Sequence, residues 1–186
     1  MKLNKNVLLS FGLMVAITSV YRILPNRPYG FAPQIALALF GGAFFVQNKK
    51  WAFILPLISM FISDLLYQAL FNLGYSEIEG FYSGQWINYI LIGSLTVFGF
   101  MISDAKIFKV IVASLAAPTT YFILSNGLVW LGNGGYQHSR NFVGLMQTLV
   151  DGVPFYQNSI LGTLVFGAIL FGGYSLLKSR EAKQIA

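Results

Sequence analysis

What most constrains this chain is the spacing of its apolar runs. They recur in blocks long enough to cross a bilayer, for which about 20 residues suffice. The connections between them hold most of the charge. That pattern predicts an all-α membrane protein, a bundle of six transmembrane helices forming one domain over 1–186. The expected spans are about 7–24, 31–46, 51–73, 86–102, 108–131 and 155–177. The second is short and is expected to cross with little tilt or to lie partly sunk in the bundle. With 56% hydrophobic and 10% charged residues, and a mean hydropathy of +0.66, the 186-residue chain is unlike a soluble domain.

Composition narrows the chemistry further. The chain has no cysteine and one histidine, which excludes disulfides, thiolate sites and multi-histidine metal centres. Catalytic signatures such as G-x-S-x-G with a partnering histidine, H-E-x-x-H or a P-loop are missing from the sequence. The expectation is a protein that is not an enzyme and carries no cofactor. The opening apolar run ends in Tyr21-Arg22-Ile23-Leu24-Pro25 rather than a small-residue cleavage site, so it is read as a retained helix.

Charge sets the expected orientation. Lys2, Lys5, Lys49, Lys50, Lys106, Lys109, Lys178, Arg180 and Lys183 fall on one side of this layout, and Arg22, Arg27 and Arg140 on the other. Both termini are therefore expected in the cytoplasm, in a multi-pass protein of a bacterial inner membrane. The net charge of +6 and pI near 9.6 then reflect topology and anionic lipid, with no call for nucleic acid. The inner connections are short turns. The outer ones, at 24–33, 74–85 and 132–154, carry prolines, glycines and aromatic residues, with a possible interfacial helix at 141–150. Such loops mark the expected functional face.

Helix geometry puts three polar residues at one depth. Arg22 lies about 26 Å above Lys5, Asp64 about 21 Å above Lys50, and Asn126 about 26 Å above Lys109. Ionisable groups at that depth face the bundle interior or a wet cavity. Arg22 and Asp64 are expected to pair, either as a lock between the first and third helices or in contact with a ligand. Trp86 and Trp130 are candidates for the walls of a pocket or for the interfacial aromatic belt. Tyr136, with Arg27, His138, Arg140 and Asp151 from the outer loops, completes the candidate substrate-binding set. Small-xxx-small pairs at Gly12/Ala16 and Ala113/Ala117 are candidate partner interfaces, or simply close packing within the chain.

Arg22-Ile23-Leu24-Pro25-x-x-Pro28, Phe31-Ala32-Pro33, the 36–45 block, Ser63-Asp64, Asn126-x-x-x-Trp130 and Val153-Pro154-Phe155 resemble an uncharacterised family of small bacterial membrane proteins. More remotely, the chain is similar to the substrate-binding S components of energy-coupling-factor (ECF) vitamin transporters, the solitary cobalamin-binding ones included. That resemblance implies six helices and uptake of a vitamin-like molecule from the outer side. It also implies helix-one contact with a transmembrane coupling subunit that works with ATPases. The alternative is a non-transporting accessory or structural subunit of a larger membrane complex.

Overall fold

The computed structural model describes residues 5–102, 106–132 and 135–185. They form six helices: α1 (Lys5–Arg22), α2 (Gln34–Phe44), α3 (Lys49–Asn72), α4 (Gln85–Phe100), α5 (Ile107–Leu131) and α6 (Phe142–Ile185). Lys2, residues 103–105 and Gly134 lie outside the described residues, as do the side chains of Lys5, Lys178, Arg180 and Lys183. Three segments are long and apolar enough to cross a membrane: α3, α5 and the 142–176 part of α6. The other helices are apolar but shorter.

The organising element is α2. Its sequence is apolar all round, which suits a helix with no solvent or lipid face. Residues 34–42 are buried, and the helix packs against α3, α4, α5 and α6. Two glycines permit the tightest of these approaches. A Cβ on Gly42 would lie 2.8 Å from Gly99 Cα, and one on Gly99 would strike the Leu39 carbonyl. Around α2, Ile35 and Leu39 join Met60, Ile92, Leu95, Ala113 and Ala117 in one apolar cluster. Leu37 and Phe40 join Phe11, Val15, Phe45 and Leu55 in another. Ala113 and Ala117 thus serve the chain's own core. Gly12 and Ala16 face outward from α1, beside the exposed Leu9, Leu13 and Ile17.

The helix starts that depart most from the expected spans are those of α2 and α6, each for a physical reason. Proline has no N–H and disfavours helical geometry in the residue before it, so α2 cannot run back through Pro33 to residue 31. It has 11 residues and rises about 16 Å, roughly half of a hydrocarbon core. The expected break before residue 155 is also missing. Pro154 lies inside one 44-residue helix that absorbs the proposed interfacial segment. That proline removes a single backbone donor, and packing along α5 holds the helix together across it. Asn141 opens α6 by accepting a hydrogen bond from the Gly144 amide at 2.9 Å.

Candidate functional site

Polar residues at helical spacing stitch α1 to α3. Thr18 Oγ1 meets Ser59 Oγ at 2.8 Å, and Ser19 Oγ donates to the Ser59 carbonyl at 2.9 Å. One turn further along, Arg22 donates to Ser63 Oγ at 2.6 Å and forms an ion pair with Asp64. The pairing expected from depth alone is present. Its surroundings were not legible from depth, because they come from other elements. Asp64 is 1% exposed and also accepts from Gln85 Nε2 and Tyr89 hydroxyl of α4, each at 2.5 Å. A buried carboxylate with one cation and two further donors is well satisfied.

The same seam orders the chain that follows α1. The Arg22 carbonyl, free at the end of the helix, accepts from Tyr67 hydroxyl at 2.6 Å and Arg27 Nε at 3.1 Å. Arg27 Nη1 also donates to the Phe31 carbonyl at 3.1 Å. Asn26 and Gly30 adopt positive φ, and a side chain on Gly30 would collide with the Phe155 backbone. Asn158 Nδ2 donates to the Tyr29 carbonyl at 2.9 Å, which fastens the segment to α6. Residues 23–33 are thereby folded over the N-terminal end of α2.

Beneath that segment lies a cavity of about 340 Å³, within the range of about 300–1,000 Å³ typical of small-molecule sites. Its floor is formed by Gln34 and Ile35 at the start of α2, with Met60, Ile92 and Pro118 from the middles of α3, α4 and α5. Arg22, Arg27, Asn88, Tyr121, Asn126 and Tyr156 are among its walls. The void follows from the length of α2, which occupies only half of its column in the bundle. Phe122 and Tyr156 stack at 4.5 Å between centroids, and Tyr121 hydroxyl donates to Asn88 Oδ1 at 3.1 Å. The lining is mixed, with flat aromatic surface between amides and cations.

Electrostatics divides the two arginines. Arg22 is neutralised by Asp64, whereas the hydrogen bonds described for Arg27 go to neutral backbone carbonyls. Among the described residues no carboxylate pairs with Arg27, so the cavity carries net positive charge. In the nearby 73–84 loop, burial pushes the Tyr82 phenol above its ordinary pKa, which keeps it a neutral hydrogen-bonding group.

Of the residues expected to bind a ligand, Arg22, Arg27 and Asn126 line the cavity, and Asp64 stands directly behind Arg22. Asn126 is set there by Gly152, where a Cβ would come within 2.6 Å of its Oδ1. Trp86, Trp130, Tyr136, His138, Arg140 and Asp151 are placed outside the lining. Trp86 is 63% and Tyr136 79% exposed, as aromatic residues at a bundle's rim can be. Trp130 donates to the Ser139 carbonyl at 3.0 Å, and His138 Nε2 meets Asp151 Oδ2 at 2.6 Å. Arg140 is exposed on the same stretch. These contacts fasten the 135–141 segment to the ends of α5 and α6. Of the three outer connections expected to mark the functional face, 24–33 gives Arg27, Gly30 and Ala32 to the lining, 132–154 gives only Gly152, which lies within α6, and 74–85 gives none.

The described residues thus form an all-helical bundle with three helices long and apolar enough to cross a membrane and a cavity beneath one loop. Residues 1–185 match the model of a family of unknown function, DUF6580, and the chain belongs to that family. No curated protein and no solved structure matches it.

Proposed function

We propose that this protein binds a small vitamin-like molecule in the cavity and serves its uptake, in the manner of an ECF-type S component and without catalysing a reaction. The chain then crosses a bacterial inner membrane six times, the short α2 and the 23–33 segment together making the second crossing, both termini face the cytoplasm, and the cavity opens outward. The observation that supports this reading is the cavity itself, polar and aromatic in lining and carrying the unneutralised Arg27. Six apolar helices have no packing need for such a space. Uptake requires energy from elsewhere, and the exposed Gly12/Ala16 face of α1 would meet a coupling subunit that works with ATPases. The same face favours the second reading, an accessory subunit of a larger membrane complex.

Native mass spectrometry of gently purified protein tests the choice. The expected result is a retained small molecule, lost when Ser125→Trp fills the cavity while the melting temperature stays within a few degrees of the parent's. A solid complex with another membrane protein and no retained molecule would favour the accessory reading instead. Orientation has its own test, since the chain is cysteine-free. A cysteine introduced at Ser83 or Ser139 should react with an impermeant thiol reagent from outside, and one at Asn48 should not. The opposite labelling would overturn the layout.

A further inference from the structure

Gln34 is the first residue of α2, lines the cavity and is 4% exposed, yet neither its Oε1 nor its Nε2 meets a hydrogen-bond partner among the described residues. A buried amide left unpaired on both atoms is costly, and groups of that kind in native proteins call for an explanation. Thr96 Oγ1 is likewise buried and unpaired but does not line the cavity, which sets Gln34 apart. Its backbone position adds a second element. The first α2 amide to find a backbone carbonyl in its own turn is that of Leu37, on Pro33 at 2.8 Å. The N–H groups of Gln34, Ile35 and Ala36 therefore present the positive end of the helix at the floor of the cavity. Arg27, with no carboxylate partner among the described residues, stands in the wall above.

We propose, on the basis of the binding function above, that this cavity selects a small planar acid that also carries an amide, lactam or ureide edge. The edge supplies one donor and one acceptor, which match the Oε1 and Nε2 of Gln34 atom for atom once the buried amide turns into the cavity it borders. An oxyanion answers Arg27 and the α2 N-terminus. The flat part of the molecule lies against Tyr121 and the Phe122–Tyr156 stack. Gln34 is in this account the residue that determines specificity. An analogue with the acceptor but not the donor leaves Gln34 Oε1 unpaired, and sites built to hydrogen-bond a polar group reject such analogues strongly.

The test uses the full-length protein in detergent and three probes of nearly equal shape: 4-carbamoylbenzoate, 4-acetylbenzoate and the methyl ester of 4-carbamoylbenzoate. Affinities are read by thermal shift and calorimetry. The carbamoyl acid should bind at least about tenfold more tightly than the acetyl acid. Gln34→Met should erase that preference while the acetyl acid still binds, and it should raise the melting temperature of the unliganded protein. Arg27→Gln should erase the preference for the acid over its ester. Equal binding of the amide and acetyl compounds, or a preference that survives Gln34→Met, overturns the assignment of Gln34 and leaves the binding function intact. Failure of all three probes to bind overturns the ligand class. The binding function then stands or falls separately on whether a molecule is retained in native mass spectrometry.

Discussion

Asp64→Ala is expected to destabilise the protein by about 3–5 kcal/mol, the cost of stranding one member of a buried ion pair. The loss reaches beyond the Arg22 guanidinium, because Gln85 Nε2 and Tyr89 hydroxyl give up the same acceptor. Arg22→Ala should cost less, since the carboxylate keeps those two donors. The Arg22→Ala/Asp64→Ala double variant should be more stable than the sum of the single losses implies, because no charge is left without its counterpart. Chemical or thermal denaturation in detergent reads all three. Strict additivity would mean that the two side chains do not depend on each other.

The second large effect is expected at the crossing of α2 and α4. Gly99→Ala should cost about 1–3 kcal/mol through overpacking, and Gly99→Val more. The added Cβ would strike the Leu39 carbonyl and lie 2.8 Å from Gly42 Cα. Both obstacles are backbone and cannot rotate aside. Gly12→Ala on the outer face of α1, where nothing stands within 4 Å of the new atom, is the control and should be nearly neutral in isolated protein. Equal effects at the two positions would show that the close crossing does not set the cost, since helix propensity alone favours alanine over glycine at both.

The all-helical bundle was legible because hydropathy in blocks of bilayer length needs no knowledge of partners. The Arg22–Asp64 pair was legible for a similar reason, since residue count alone sets height along a helix. Gln85 and Gln34 were not singled out. Each sits at the first or second turn of its helix, where a polar residue in the sequence looks like an ordinary interfacial one. Their significance depends on which helix lies opposite, and one-dimensional spacing does not carry that. The polar run at Thr18, Ser19 and Arg22, matched by Ser59, Ser63 and Tyr67, did hold a usable signal. Its three-to-four residue spacing marks a polar stripe on each of two helices that are otherwise apolar.

Trp86 and Tyr136 illustrate the opposite limit. Height placed Trp86, and membership of an outer loop Tyr136, near the cavity, but neither fixes azimuth, and both side chains are exposed. The fusion of the 141–150 segment with the last span has a comparable origin. A proline is a strong sequence break, yet the neighbouring α5 runs alongside α6 and supplies contacts on both sides of Pro154.

The depth of the cavity is set by a stop signal more than by the residues that line it. Pro33 ends α2 on the side where the bundle is still open, and every residue of helix beyond it would have added about 1.5 Å of filling. One further turn, about 5.4 Å, would carry α2 well up into the space now under residues 23–33. The volume available to a ligand is thus coupled to the position of a single imino acid along the chain. A lineage that moved this proline by a few positions could trade a binding chamber for a solid core, or enlarge the chamber for a bulkier guest, without altering any wall.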